Sequence, residues 1–355
     1  MNKTFRKTLV VIGTIAIFVA LKFAAQEYWK YINTPFFQTR GVVLFWDDVN
    51  KPEKLDWIKL CKDANLNTIS VYAHDNVRQQ EDYKSFLERC KAEGLHIDYE
   101  EHAISILLPR THFAEHPEWF RMDENGVRVA DANCCPSSEE ALEVIAKNAK
   151  KVAKLRQPTN HKHFFWLDDG RPVCQCDKCK ELSPSDQALI IENRIIKALR
   201  EEDPEAMLAH LCYDNTLQAP TKIKAEEGVF LQFAPFYRSW DHPLSEREAQ
   251  REGQKLTHGD YLDALAANLK VFPKETAQVL EYWMDVSLFS GWSKPQKRLK
   301  WNREVFLKDL ETYASFGIHH IMSYAAFIDA DYMEMFGDVS FVGEYGSGLH
   351  KYREY

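Results

Sequence analysis

Several short motifs that define large enzyme classes are missing from this chain of 355 residues. It has no G-x-S-x-G segment for a serine nucleophile and no H-E-x-x-H segment for a catalytic zinc ion. It also has no P-loop and no G-x-G-x-x-G turn to hold the phosphates of a nucleotide. These absences argue against serine hydrolases, zinc proteases and nucleotide-binding proteins of those types.

An excess of positive charge is also missing. Lys and Arg number 45 against 53 Asp and Glu, the net charge is −8, and the sequence shows no basic stripe. We therefore expect no nucleic-acid partner. Because there is also no internal repeat, low-complexity tract or Pro/Gly-rich linker, we expect residues 36–355 to form a single domain.

A hydrophobic run long enough for an undisturbed transmembrane helix of about 20 residues is lacking as well. The apolar run 9–21 follows three basic residues, as in signal peptides and signal-anchors. Ala25 is a poor cleavage site because Phe23 stands where a small residue is preferred. We expect residues 1–35 to be a signal-anchor, or else a signal peptide, plus a spacer; a buried helix is a third alternative. The membrane would then be a partner through this segment, with the body outside the cytoplasm.

Eight apolar segments alternate with amphipathic helical patterns along the rest of the chain. The segments are 41–47, 68–74, 96–102, 163–168, 206–213, 229–236, 276–285 and 319–327. This alternation predicts an α/β fold, a (β/α)8 TIM barrel with a long insertion (104–138) after the third strand. A doubly wound open sheet is the main alternative, but it usually has a glycine-rich turn after its first strand. Asn125 and Gly126 predict a hairpin turn within the insertion.

Polar side chains stand at the end of almost every predicted strand. In a barrel these ends meet at one mouth, and opposed carboxylates there supply what glycoside hydrolysis needs. The candidates are Asp168 and Asp169; Glu281 and Asp285; His74, Glu101 and His102; Tyr213 and Tyr237; and Trp283 and Tyr324. Adjacent Asp168 and Asp169 point to opposite sides of a strand, so one faces the centre unless the strand has already turned. The alternative is that the pair forms only a turn and a helix cap.

The remaining candidates concern sugar binding. His74 and His102 are candidates for hydrogen bonds to hydroxyl groups, although each is equally compatible with a structural role. Trp283 and Tyr324 are candidates for a stacking platform, with core packing as the alternative. Trp119 is the preferred platform because its loop is otherwise polar.

The cysteines form a pattern of their own. Cys174, Cys176 and Cys179 make a C-x-C-x2-C motif, and Cys134 and Cys135 lie on the preceding insertion. Three thiolates plus one of these two can hold a tetrahedral structural zinc; disulfides or free thiols are the alternatives. We take Cys135 as the fourth member. Four protein ligands leave no open position for water, so we expect no cofactor for catalysis.

The segments HPEWF with ENG, NCCPSSEE, LDDGRPVCQCDKC, VLEYWMDVSLFSGWSKP and GIHHIMSYAAF stand in a specific order over most of residues 100–330. On these the chain resembles the DUF4838 family, glycoside-hydrolase-like barrels distantly similar to α-glucuronidases and β-N-acetylhexosaminidases. The resemblance implies cleavage of a glucuronide or N-acetylhexosaminide; the alternative is a carbohydrate-binding barrel without catalysis.

The resemblance also implies roles for individual residues. Hexosaminidases end their fourth strand with an Asp that orients the acetamido group and a Glu that acts as general acid. The matching positions here are Asp168 and Asp169, the second being one methylene shorter than Glu. In α-glucuronidase-like barrels an acid on a later strand acts as base, and Glu281 is the counterpart, as base or nucleophile.

Overall fold

A computed structural model of the protein describes residues 21–22 and 34–353. Nine strands pair in parallel in the order β3-β2-β1-β9-β8-β7-β6-β5-β4. They are β1 (Thr39–Phe45), β2 (Thr68–Tyr72), β3 (His96–Asp98), β4 (Glu100–His102), β5 (Lys162–Trp166), β6 (Met207–Cys212), β7 (Val229–Phe233), β8 (Gln278–Glu281) and β9 (His320–Tyr324). Every predicted strand overlaps an observed one.

The two outermost strands of this order are halves of one barrel position. β3 pairs with β2, β4 pairs with β5, and only Tyr99 separates the two halves along the chain. The nine strands therefore occupy eight positions around a nearly closed barrel. This confirms the predicted (β/α)8 fold, and all carboxyl ends of the strands lie at the same mouth.

Helices follow the strands and cover the barrel. They are α1 (Trp46–Val49), α2 (Trp57–Asp63), α3 (Asp75–Arg78), α4 (Glu81–Ala92), α5 (Ile104–Leu107), α6 (Glu139–Arg156), α7 (Pro184–Arg200), α8 (His258–Asn268), α9 (Val286–Phe289), α10 (Arg303–Ser315), α11 (Ala330–Phe336) and α12 (Ser340–Lys351). The two longest start at serine caps: Ser138 accepts a hydrogen bond from Ala141 N, and Ser183 accepts one from Asp186 N. Such caps satisfy amide groups that a helix start leaves without partners.

The barrel interior contains a polar layer as well as apolar side chains. Lys162 Nζ donates to Gln278 Oε1 over 3.0 Å, and Trp166 Nε1 donates to Gln232 Oε1 over 2.9 Å. Gln232 Nε2 in turn donates to Glu100 Oε2 over 2.6 Å. These groups lie on the strands and are buried, so their hydrogen bonds offset the cost of removing them from water.

The insertion after the third barrel position is confirmed. It contains α5, two short 3₁₀ helices (Arg110–Ala114 and Pro117–Trp119) and an antiparallel bridge between Met122 and Arg128. Gly126 closes the predicted hairpin at φ +79°, a conformation that glycine adopts without strain. The insertion lies beside the end of β5, where it reaches the predicted site.

The predicted N-terminal anchor lies outside the described residues, apart from residues 21–22. Within the described part, no helix is long and apolar enough to cross a membrane. The membrane partner, the extracytoplasmic location and the division near residue 35 therefore stay predictions.

Candidate active site

A cavity of about 490 Å³ opens at the carboxyl ends of the strands. Its aromatic lining consists of Phe45, Trp166, Tyr213, Phe236, Tyr237, Tyr282, Trp292 and Tyr324. Its acids are Asp169, Asp214 and Asp285, accompanied by His102 and Ser287. An aromatic cleft with a few convergent polar groups is the usual form of a small-ligand site.

Asp169 stands just beyond β5 on the rim of the cavity. Its side chain is 64% exposed, and its Oδ1 lies 3.7 Å from His102 Nε2. His102 Nδ1 contacts the Leu167 carbonyl oxygen, which can only accept, so Nδ1 carries the proton. The Nε2 atom thus faces Asp169 and the cavity, where it accepts a hydrogen bond when neutral and donates one when protonated.

Asp214, just after β6, is the neighbour of Asp169. Partial burial and the negative charge of Asp169 raise the pKa of Asp214. The Asp214 backbone has φ +45°, a left-handed conformation that Asp tolerates better than most residues. A Cβ atom at Gly170 would lie 2.8 Å from Asp214 Oδ2, so the glycine makes room for this carboxyl.

Asp285 follows β8 and is 4% exposed. Its Oδ1 accepts hydrogen bonds from Ser287 Oγ at 2.5 Å and from Leu288 N at 3.2 Å, which caps α9. Burial raises the pKa of Asp285 to about 6, and the two donors oppose the rise. The cavity therefore contains carboxyls in contrasting surroundings, an open one at Asp169 and a buried one at Asp285, as acid/base chemistry requires.

Aromatic rings stack in pairs along the walls. Tyr282 and Tyr324 lie with centroids 5.2 Å apart and planes 9° from parallel. Tyr213 and Tyr237 lie 6.3 Å apart at 17°. Burial raises the pKa of all four hydroxyls, which therefore stay protonated and able to donate at neutral pH. Trp292, 61% exposed at φ +54°, offers a further ring at the mouth.

Asp168 does not line this cavity. Its carboxylate pairs with Arg110 and accepts a hydrogen bond from Asn133 N at 2.6 Å. Asn133 Oδ1 in return accepts from Asp168 N at 2.9 Å. The structure thus places Asp168 between the insertion and β5, outside the lining of the cavity.

Glu101 is also turned away from the cavity. It is 4% exposed and pairs with Arg156, with Arg78 3.6 Å away on its other side. The expectation that it touches substrate is not supported, because two guanidinium groups from α3 and α6 hold its carboxylate behind the barrel wall.

Glu281 and Trp283 lie in the core. Glu281 is fully buried and accepts hydrogen bonds from Arg238 Nη1 at 2.8 Å and Tyr313 Oη at 2.5 Å. Burial raises the pKa of Glu281, while Arg238 opposes the rise. Trp283 Nε1 donates to Asp309 Oδ2 over 2.9 Å. Neither side chain reaches the cavity, so neither has the place that the sequence suggested.

His74 and Trp119 likewise lie outside it. His74 is exposed, and its ring lies edge-on to that of Tyr72 with the two ring centroids 5.6 Å apart. Trp119 is 7% exposed, donates to Glu140 Oε2 over 3.0 Å and stacks on His116 at 3.9 Å. The expected sugar platform is therefore a packed part of the insertion.

The sequence matches the family described as "Domain of unknown function (DUF4838)" over residues 19–284, three quarters of the chain. The chain belongs to the DUF4838 family. No curated protein matches its sequence.

The fold of this DUF4838 chain is similar to that of glycoside hydrolases. A β-N-acetylhexosaminidase from Bacteroides fragilis has a TM-score of 0.54 and 11% identity over 88% of this chain and 66% of its own length. An endo-β-1,4-glucanase from Bacillus licheniformis has a TM-score of 0.52 and 8% identity, covering 91% and 60%. A chitinase from Rhizomucor miehei has a TM-score of 0.50 and 11% identity, covering 88% and 99%. The chain thus spans slightly less than two thirds of the hexosaminidase. At these identities the likeness shows the fold alone.

Several cavity residues had no role in the sequence-based expectation. Asp214 follows a predicted strand, but nothing in the sequence distinguishes it from the other acids at strand ends. Tyr282 follows β8 directly and lines the cavity, whereas the sequence-based prediction named its neighbours Glu281 and Trp283. Trp292 could have been found from its surroundings, because an aromatic residue in the polar, glycine-containing loop SGWSKP is expected to be exposed.

The predicted cysteine cluster is brought together in this DUF4838 chain. The Sγ atoms of Cys135, Cys174, Cys176 and Cys179 all lie within 4.8 Å of one another, and all four residues are buried. Cys134 packs instead in the main hydrophobic core. The structure therefore places Cys135, and not its neighbour, with the C-x-C-x2-C motif.

Proposed function

We propose that this DUF4838 protein binds a carbohydrate in the mouth cavity and hydrolyses a glycosidic bond by carboxylate acid/base chemistry. The observation that carries the proposal is the cavity itself: stacked aromatic walls surround three carboxyls whose environments differ. The glycoside-hydrolase-like fold agrees with this function without establishing it.

Binding would use the aromatic walls. The C–H faces of a sugar ring stack on aromatic side chains, and Trp292 and Tyr237 stand at the open side of the cavity. The protonated hydroxyls of Tyr213 and Tyr324 can donate to sugar oxygens. Tyr213, Tyr237, Tyr324, His102 and Asp285 thus keep the substrate contacts proposed for them.

The chemistry would divide between two sides of the cavity. Asp169 and Asp214 are neighbouring acids, and partial burial together with the negative charge of Asp169 raises the pKa of Asp214. Asp169, on the rim, would donate a proton to the glycosidic oxygen as the bond to the anomeric carbon breaks. Asp285 would take a proton from the attacking water, or attack the anomeric carbon itself.

The lining favours a neutral sugar over a glucuronide. No Lys or Arg stands among the described residues that line the cavity, whereas three acids do. A uronate carboxylate would therefore meet like charge without a fixed cation, His102 being the one lining group that can become cationic. We accordingly propose an N-acetylhexosaminide or another neutral glycoside.

A carbohydrate-binding protein without turnover is the second candidate. Asp168 and Glu281, two of the three acids expected to be catalytic, are held in ion pairs away from the cavity. This function predicts that sugars bind but are not cleaved.

The test is turnover by the full chain on aryl N-acetylhexosaminides, neutral hexosides, glucuronides and mixed polysaccharides. Asp169→Asn should lower sugar release at least about 10²-fold, because it removes the general acid. Asp47→Asn is the matched control, an exposed strand-end acid outside the cavity, and should leave release unchanged.

Release that survives Asp169→Asn would reject the assignment of the acid. Binding on a sugar array with no release by the native protein would favour the binding function. Cleavage of glucuronides in preference to neutral glycosides would contradict the argument from the lining charges.

A further inference from the structure

We propose that Cys135, Cys174, Cys176 and Cys179 bind one structural zinc ion that fastens the long insertion to the end of β5. The four residues come from two places, Cys135 at the end of the insertion and the others from the loop after β5. Among the described residues, the four cysteines form a cluster separate from the main hydrophobic core, and Met122 packs against this cluster.

The distances between sulfur atoms suit a metal and not a disulfide. Cys135 Sγ lies 3.7 Å from Cys176 Sγ and 4.0 Å from Cys179 Sγ. A disulfide brings two sulfurs to about 2.05 Å. Four sulfurs at about 2.3 Å from a tetrahedral zinc ion are instead about 3.8 Å apart, which follows from the tetrahedral angle. The observed separations agree with the second arrangement.

The surroundings supply what four thiolates need. Met122 N donates to Cys174 Sγ over 3.3 Å, and Arg128 Nη1 lies 3.7 Å from the same sulfur. A zinc ion with four thiolates has a net charge of −2, and the Arg128 guanidinium offsets part of it. Amide and guanidinium donors to the ligating sulfurs hold them in position and stabilise the charge.

Such an ion would also position the neighbourhood of Asp169. Cys135 is two residues from Asn133, which exchanges hydrogen bonds with Asp168. Asn133 Nδ2 also donates to the Pro172 carbonyl over 2.9 Å, on the other side of Asp169. Zinc would thereby hold the turn that presents Asp169 to the cavity. This consequence, unlike metal binding itself, rests on the proposed function.

The experiment is metal and thiol analysis of the full chain, purified without added reductant or chelator. We expect one zinc per chain by mass spectrometry. After denaturation with chelator, all eight cysteines should react as thiols. Replacement of zinc by Co²⁺ should give the visible absorption bands of a tetrahedral tetrathiolate site.

Two variants complete the test. Cys135→Ser should lose most of the zinc and increase hydrogen exchange in residues 168–172. Cys134→Ala, which removes the adjacent buried thiol outside the cluster, should keep a full equivalent of zinc. If Cys135→Ser does not fold, the number of zinc ions per native chain and the spectrum of the cobalt-substituted protein still test the proposal.

Native protein without zinc, or with two or more of its thiols lost to disulfides, would overturn the proposal. So would equal zinc loss in both variants. Because these measurements do not depend on sugar turnover, failure of the zinc site and failure of the proposed glycosidase activity are separable.

Discussion

Two groups of acids follow the strands of this barrel, and they differ in what surrounds them. Asp169, Asp214 and Asp285 line the mouth cavity, where no Arg or Lys is among the described lining residues. Asp168, Glu101 and Glu281 stand at comparable positions but pair with Arg110, Arg156 and Arg238 respectively. The first group can bind or transfer protons, whereas the second holds the barrel and its insertion together.

An acid at a strand end is therefore not by itself placed to act on a ligand. Arg238 shows the reason, since it is fully buried and pairs with both Glu281 and Asp309, at 2.8 Å and 2.7 Å. A buried carboxylate needs such a cation or several donors to remain ionised. Once an arginine satisfies it, the carboxylate has little capacity left for a substrate.

The largest expected effect comes from Asp285→Asn. If the proposed function is correct, sugar release falls at least about 10²-fold, because Asp285 is the proposed base or nucleophile. The free energy of unfolding should change little, since Asn caps a helix about as well as Asp. In the native protein, kcat/KM should rise with pH through about 6 as Asp285 ionises. Turnover and its pH profile measure this effect. An unchanged rate in the variant would contradict the proposed role of Asp285.

The next effect concerns the paired acids and is on stability. Arg238→Met should lower the free energy of unfolding by about 3–5 kcal/mol, because it leaves Glu281 and Asp309 buried without their cation. Denaturant titration measures it. The matched control is Arg247→Met, whose partner Asp263 is exposed, and it should cost less than about 1 kcal/mol. Equal losses in the two variants would show that burial of the pair does not matter.

The weakest effect is expected at Glu100, which is buried and has no ion pair with an arginine among the described residues. Burial raises the pKa of Glu100 to about 8, and Asp98 adds to the rise. The folded state therefore keeps a proton that the unfolded state releases above about pH 4.5. Stability from Glu100 is fully present below that pH and is lost as pH rises through about 8.

Glu100→Gln should remove this loss, because an amide has no proton to release while its oxygen can still accept from Gln232. From pH 5 to 8, the free energy of unfolding should fall less in the variant than in the native protein. The difference should be on the order of 1–4 kcal/mol over this range. Asp48, whose pKa burial also raises to about 8, is present in both proteins, so the difference isolates Glu100. Parallel curves would contradict the assignment of a protonated Glu100.

The barrel could be predicted from local patterns because each of its strands is buried on both faces. The segment HFFWL became β5 (Lys162–Trp166), and Pro184–Arg200 formed the helix that its proline and apolar spacing indicated. The insertion, the turn at Gly126 and the gathering of four cysteines followed from motifs that are short in sequence. Spacing alone was enough for these features.

The choice among strand-end acids could not be predicted in the same way. Asp168 and Asp169 are adjacent, and whether either faces the cavity depends on how the chain turns after β5. Arg110 lies 58 residues before Asp168, and Arg238 lies 43 residues before Glu281. No pattern in a single sequence links residues so far apart, so these pairings remained invisible.

Local sequence patterns thus predict the barrel, the mouth where its strands end and the cysteines that meet beside it, because periodicity and short motifs act within a few residues. Long-range packing places Asp169, Asp214 and Asp285 at the cavity and turns Glu101, Asp168 and Glu281 away from it. The reason is that the direction of a side chain at a strand end, and the arginine that reaches it, are set by distant segments packing together.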